Sequence, residues 1–249
     1  MFVKSVILFF LAGISVAQQF ANQCPINSPS CSLQGSTDTC CVAKDGWIVY
    51  AEYWIVSKGP SKKFTIHGLW PDRCDGTWDD NGCDLNRTYT GAGDIVKARD
   101  PELYRFMDRR WPSTSGSSSS FWDHEWNKHG TCLTTIDPPC LANYQKYDDL
   151  LMYFKITTAL STKYDFYKAL SDEGIVPGAT YTRLSMEAAL FKNAGVRTVV
   201  RCNRAGTLTE IWSYFDILGQ DTFVPRVPDY NPTDCQNIYY PPKTVNKCL

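Results

Sequence analysis

Residues 47–72 read WIVYAEYWIVSKGPSKKFTIHGLWPD. Two runs within it, Trp47 to Val56 and Phe64 to Leu69, are rich in aromatic and β-branched residues and bounded by Gly and Pro, as strands are. On the N-terminal side, residues 22–46 are rich in cysteine and turn formers and read as a loop region held by bridges. On the C-terminal side, Asp94 to Arg110 has a helical pattern that Pro101 restarts. Ser113 to Ser120 is serine-rich. As a linker it would divide the chain, but cysteines on both sides favour a surface loop before a helix.

Phe121 to His129 is helical in character, with serine available as N-cap and Gly130 to stop it. Tyr144 to Tyr164 reads as a longer amphipathic helix, apolar at Tyr147, Leu150, Leu151 and Phe154. A second helix, Phe166 to Asp172, ends at Gly174, and Leu184 to Lys192 makes another. Val196 to Cys202 and Leu208 to Ile217 return to strand character, and the tail from Val224 reads as proline-rich and irregular, tied by Cys235. Strands and helices mix without a βαβ rhythm. The expectation is a single α+β domain: a central antiparallel sheet with surrounding helices, stapled by disulfides.

Residues 1–17 read as a secretory signal. Lys4 gives a positive start, Val6 to Leu11 and Ala12 to Val16 form the apolar segment, and Ser15-Val16-Ala17 supplies small cleavage residues. The segment is too short for a membrane span, so an exported domain of residues 18–249 is expected. All 11 cysteines follow the signal, which argues for disulfides rather than metal or redox chemistry. Cys40 and Cys41 are adjacent, no zinc-type spacing occurs, and the odd count leaves Cys248 as the natural spare. Asn86-Arg87-Thr88 is a glycosylation sequon suited to a surface loop, whereas Asn231 is followed by proline.

The formal charge is −1 and the pI about 6.3, so the chain cannot grip nucleic acid by bulk positive charge at neutral pH. Any such activity needs a local site or acidic conditions. With 8 Trp and 14 Tyr, stacking surface is plentiful, though most of it will pack the core.

All 3 histidines, His67, His124 and His129, fall in two aromatic segments, FTIHGLWPD at 64–72 and FWDHEWNKHGTC at 121–132. At roughly 100° per helical residue, Glu125 and His129 lie about 40° apart, Lys128 about 60° to the other side, and His124 extends the arc to about 140°. The ordinary alternative is a solvated, salt-bridged face. A zinc protease needs histidines four apart, and His129 is five from His124, rotated off the face. Two histidines, a lysine and a glutamate without metal suit RNA, which carries its own nucleophile, the 2′-hydroxyl. One histidine takes that proton and the other protonates the departing 5′-oxygen. Lys128 would stabilise the phosphorane-like charge, and Glu125 would hold Lys128 or a histidine, or share a proton with the phosphoryl oxygen.

At these two segments the chain resembles the T-two ribonucleases, base-nonspecific acid ribonucleases. The cysteine layout, with adjacent Cys40-Cys41, is similar to the fungal branch from Cys24 to Cys235. The resemblance implies His129 as general base, His67 as general acid, Glu125 and Lys128 as transition-state stabilisers, and His124 as a phosphate contact. It implies a main base pocket of Trp70 and Asp72, with Trp78 where fungal relatives often have tyrosine. Trp78 also lies beside a bridged loop, where it could simply pack. Phe121 and the Pro112-Ser113 corner would border a second base. The implied bridges are Cys24–Cys41, Cys31–Cys74, Cys40–Cys140, Cys83–Cys132 and Cys202–Cys235. Tyr53-Trp54-Ile55 departs from the family's common Gln-Trp-Pro, which bears on the second base site. The implied activity is cleavage of single-stranded RNA to 2′,3′-cyclic phosphate and then 3′-phosphate ends. No metal or cofactor is implied, and the protein is expected to be a secreted or vacuolar monomer. A non-catalytic secreted binding protein on the same scaffold is the rival reading, and a DNA nuclease is disfavoured because DNA lacks the 2′-hydroxyl.

Overall fold

In a computed structural model of the chain, the described residues are 20–21, 24, 29–32, 38–228 and 235–244. The signal segment 1–17 and Cys248 lie outside them. The central strand, β1 (Trp47–Tyr53), is buried on both faces apart from its last residue. β2 (Thr65–Asp72) pairs with one edge of β1, and β5 (Leu208–Leu218) pairs with the other, both antiparallel. β4 (Thr198–Cys202) and β6 (Thr222–Arg226) take successive lengths of the far edge of β5. A separate short ribbon joins β3 (Ala179–Thr182) to β7 (Asn237–Tyr240). The expected α+β class with an antiparallel sheet is what forms.

Several boundaries differ from the sequence reading. β1 ends at Tyr53, because Trp54 leaves the ladder and donates its indole N–H to the Pro241 carbonyl, 2.8 Å away. β2 runs on through Pro71 to Asp72. Proline is tolerated there because β2 is an edge strand, so no partner needs its missing N–H. The tail from Val224 is not wholly irregular, since it contains the end of β6 and all of β7.

The helices are α1 (Ala92–Arg99), α2 (Pro101–Arg110), α3 (Ser118–Lys128), α4 (Asp148–Lys163), α5 (Phe166–Ser171) and α6 (Arg183–Ala194). Pro101 opens α2 at its first turn, and Asp100 caps it by accepting from Leu103 N. α4 starts at Asp148 rather than Tyr144, because Tyr147 adopts a left-handed backbone, φ 78°. Ser113–Gly116 forms the loop expected of the serine-rich segment, but Ser118 to Ser120 already belong to α3.

Strand alternation gives the sheet two unlike faces. Ile48, Tyr50, Ile211 and Phe215 face α4 and α5 and build the main core. The Tyr50 ring lies 6.4 Å from Phe166, and Tyr153 of α4 donates its hydroxyl to the Leu69 carbonyl at 2.8 Å. Trp47, Val49, Val199 and Tyr214 line the opposite face, with Trp70 and Trp212 against them. The five implied disulfides are all formed. Cys83–Cys132 ties the loop after β2 to the turn following α3, and losing such a bridge typically costs about 2–5 kcal/mol.

Candidate active site

The sheet's second face carries the first histidine through an irregularity in pairing. Ala51 pairs with Gly68 and Glu52 with Ile66, so His67 is an extra residue in a β-bulge. A bulge re-aims a side chain. Here it turns His67 towards the same face as Gly68 and Trp70, away from the core. The ring is then partly buried among its neighbours. Tyr53 of β1 stacks on it at 3.9 Å and places its hydroxyl 2.8 Å from Nε2. Glu210 of β5 lies 3.5 Å from Nδ1, Trp70 meets the ring edge-on at 4.7 Å, and Phe121 of α3 is 6.0 Å away. The Trp111 indole N–H fixes the His67 carbonyl at 2.8 Å.

Helix α3 supplies the second group of residues. Ser117 caps it by accepting from Ser120 N, a contact worth about 1 kcal/mol. Trp122 and Trp126 are fully buried and donate to the carbonyls of Trp111 and Arg87. Glu125 lies on that same stripe, three residues after Trp122, and is 1% exposed. The arc read from the sequence is therefore divided between environments: His124 is exposed, Lys128 and His129 are half-buried, and Glu125 is interior. The helix ends before Gly130 as expected, though without a left-handed glycine cap. The Gly130 backbone instead passes against the Trp126 ring, where a Cβ would collide.

Glu125 is not held by Lys128 or by a histidine. Its Oε2 accepts the Trp70 indole N–H at 3.0 Å, and Lys128 pairs with Asp80 at 3.7 Å. Gly68 makes the approach possible, since a Cβ there would strike both the carboxylate and the indole nitrogen. Burial pushes the Glu125 carboxyl up to about 8, against the opposing effects of the Trp70 hydrogen bond and Lys128. Burial holds His129 well below the usual histidine range, and the Lys128, His124 and His67 charges act in the same direction. His124 is also lowered, by desolvation and then Lys128. At Glu210 burial pushes upward, but His67, Trp212 and Arg201 outweigh it, and the carboxyl stays below its ordinary value.

Trp70 is the hinge of the arrangement. Its ring touches His67 on one side and His129 on another, the latter at 5.4 Å, and packs edge-on against Trp212 at 5.2 Å. His124 closes the group, 6.0 Å from His129. Asp72 ends β2 opposite Trp47; burial and then Asp45 push its carboxyl up to about 7, against the pull of Lys128. It is thus not a permanently ionised acceptor. Trp78 is 54% exposed and does not pack in the core; its indole donates to Asp80, the partner of Lys128. Pro112 is half-buried and Ser113 buried, directly after the Trp111 that anchors His67, with the Lys58 ammonium on the Ser113 carbonyl at 2.6 Å. Asn86 is exposed in the short turn Leu85–Arg87.

Sequence reasoning missed Glu210 and gave Tyr53 no place at a histidine. The signal for Glu210 was weak but present. Alternation along Leu208 to Phe215 puts it on one face with Trp212 and Tyr214. Nothing local marks the bulge that brings His67 to it.

The His124, Glu125 and His129 side chains bring ligand atoms within 4.8 Å of one another, despite the five-residue spacing, with His129 at the C-cap just past the end of α3. The carboxyl is a poor metal donor here. One oxygen is engaged by Trp70, and burial disfavours its ionised form. In a second group, Asp45, Cys83 and Cys132, the two sulfurs are bonded to each other.

Two histidines against one indole, a buried carboxyl and a lysine thus gather beside a disulfide-stapled antiparallel sheet. The chain belongs to the Ribonuclease T2 family, whose model matches residues 30–235. It is 40% identical to Ribonuclease Rh of Rhizopus niveus over 210 residues, covering 84% of this chain and 88% of that relative. It is 37% identical to Ribonuclease Trv of Hypocrea rufa, covering 88% of this chain and 98% of the relative. Among solved structures, Actibind, a T2 ribonuclease, superposes with a TM-score of 0.81 at 36% identity, over 87% of this chain and 96% of Actibind. Human RNase T2 gives a TM-score of 0.58 at 25% identity, over 79% and 98% of the two chains.

Proposed function

We propose that the chain is an exported, metal-independent endoribonuclease that cuts single-stranded RNA with low base specificity. The observation that carries the reading is the contact of His67 and His129 with the same Trp70 ring, at 4.7 and 5.4 Å. That spacing suits two proton-transfer groups on opposite sides of one phosphodiester.

His129, held neutral by burial, takes the proton of the 2′-hydroxyl. The 2′-oxygen attacks phosphorus, the bond to the 5′-oxygen breaks, and protonated His67 delivers its proton to that leaving oxygen. The products are a 2′,3′-cyclic phosphate and a new 5′-hydroxyl. In the second stage the roles reverse: His67 takes a proton from water, His129 returns one to the 2′-oxygen, and a 3′-phosphate results. Glu125, neutral below about 8, offers its carboxyl proton to a phosphoryl oxygen while Lys128 supplies positive charge. His124, exposed beside them, contacts phosphate. Trp70, Asp72 and Trp78 receive one base, and Phe121 with Pro112 and Ser113 borders the next. Stacking accounts for the low specificity, because every base has a π-face. With His67, Glu125, Lys128 and His129 all retained, the non-catalytic binding reading has no support.

Export, a monomeric state and a glycan on Asn86 complete the proposal; they rest on the signal-like segment, the five bridges and the exposed sequon. The test is to incubate the purified protein with RNA and with DNA in excess EDTA. RNA should be degraded at an undiminished rate and DNA should survive. Loss of activity in EDTA that zinc or magnesium restores would overturn the metal-independent reading.

A further inference from the structure

We infer that Glu210 is the positioning residue of His67, holding the imidazole by Nδ1 so that Nε2 alone carries the transferable proton. The inference rests on the reading of His67 as general acid.

The geometry is set by the sheet. Tyr53, Glu210 and Arg201 stand directly opposite one another on three adjacent strands, so they share one face. The bulge at His67 delivers the ring onto that same face. Glu210 Oε1 then lies 3.5 Å from Nδ1, while Tyr53 Oη meets Nε2 at 2.8 Å. Each ring nitrogen therefore faces a group of different chemistry. Nδ1 makes no other hydrogen bond, and the carboxylate, at ion-pair distance, can only accept, so it favours the form with a hydrogen on Nδ1. The Tyr53 hydroxyl can donate to Nε2 when the ring is neutral and accept from it when the ring is charged.

Glu210 is itself fixed. Its second oxygen takes the Trp212 indole N–H, and Arg201, opposite it in the ladder, stacks its guanidinium 3.9 Å from the Trp212 ring. The carboxylate is largely buried, with a side-chain exposure of 15% against 19% for His67. This buried carboxylate lies on the Nδ1 side of the imidazole, away from the nitrogen that transfers the proton. When Nε2–H passes its proton to the leaving 5′-oxygen, Nδ1–H remains, the carboxylate stays ionised, and charge and proton balance without another reactant. Tyr53, Trp70 and Phe121 around the ring, with Trp111 on the His67 carbonyl, restrict its other movements.

A residue acting through the general acid has a signature that a purely structural residue lacks. Its loss matters when the leaving group needs a proton and not when the leaving group departs unaided. Glu210→Gln, Glu210→Asp and His67→Ala are assayed on a dinucleotide and on uridine 3′-(p-nitrophenyl phosphate), whose p-nitrophenolate leaves without protonation. General acid catalysis is worth about 10²–10⁴-fold, so His67→Ala should lose that much on the dinucleotide and far less on the aryl ester. Glu210→Gln should lose about 10–100-fold on the dinucleotide, a share of that effect, and less than about 3-fold on the ester. Glu210→Asp, which keeps the charge, should recover part of the dinucleotide rate even where Glu210→Gln folds poorly. Equal losses on both substrates for Glu210→Gln, or none on either, would overturn the inference while leaving His67 as the acid. Equal losses for His67→Ala would overturn the acid reading and the inference with it.

Discussion

Trp70 and Glu125 are joined by an indole-to-carboxyl hydrogen bond of 3.0 Å that bridges β2 to the interior stripe of α3. It unites the two histidine segments of the sequence, since Trp70 follows His67 by three residues and Glu125 precedes His129 by four. The bridge depends on an absent side chain at residue 68.

Gly68→Ala should therefore damage the site more than the fold. Overpacking of this kind costs about 1–3 kcal/mol, and the strain falls on the Glu125 carboxyl and the Trp70 indole. RNA cleavage should drop at least tenfold, with a melting temperature lowered by only a few degrees. Unchanged cleavage would show that the Trp70–Glu125 contact is dispensable.

Glu125 should also leave a mark on stability. Its carboxyl is raised by burial to about 8, above its value in the unfolded chain, so ionising it costs folding free energy. The cost is absent in acid and accrues as pH rises from about 4.5 towards 8, at about 1.4 kcal/mol for each pH unit across that window. Glu125→Gln removes it. The variant's melting temperature relative to the parent should climb between pH 5 and pH 8. A difference constant with pH would mean that Glu125 is ionised throughout.

The same burial shapes the rate profile. An ionised Glu125 would keep a neighbouring histidine protonated, but the carboxyl is neutral in mild acid, and His129 is held below the usual histidine range. The base is thus free in mild acid, and since the reaction also needs a protonated acid, the profile should be a bell with its maximum below pH 6 on polymeric RNA. Below the pI of about 6.3 the protein turns net positive and attracts the polyanion. Added salt should therefore reduce acid-side activity on long RNA more than on a dinucleotide. An optimum above pH 7 would contradict the assignment of His129 and His67.

Much of this was legible in the sequence, and the exceptions have physical causes. The two histidine segments, the helix over Phe121 to His129 and the strands at 47 and 208 follow from local composition. Pro71 hid the last third of β2, because local rules cannot tell an edge strand from a central one. β3 and β7 were invisible: β3 is four mostly exposed residues, and β7, though Ile238 and Tyr240 are buried in alternation, is too short to show a period. Glu125 could be placed on a face with Lys128, but its burial comes from Trp122 and Trp126 on the same stripe. Glu210 and Tyr53 reach His67 through strand pairing and a bulge, which are long-range facts.

Asp72 offers a prediction on specificity. With its carboxyl raised by burial to about 7, it changes across that pH from a donor–acceptor to an acceptor alone. The ranking of bases in the main pocket should shift between pH 5 and pH 8, with bases bearing an exocyclic amine favoured at the higher value. In Asp72→Asn that pH dependence should vanish, with adenine sites losing most and overall turnover changing less than the ranking. Equal loss at all four bases would make Asp72 structural.

The measurement that bears most directly on the central claim is the course of the phosphorus during cleavage of one dinucleotide. Followed by ³¹P NMR at pH 5 in EDTA, the phosphodiester should disappear first into a 2′,3′-cyclic phosphate. That intermediate should rise, then decay to a 3′-phosphate, and His129→Ala should slow both stages. A 5′-phosphate product, or a 3′-phosphate that forms with no cyclic intermediate, would contradict attack by the 2′-hydroxyl and the two-histidine account built on it.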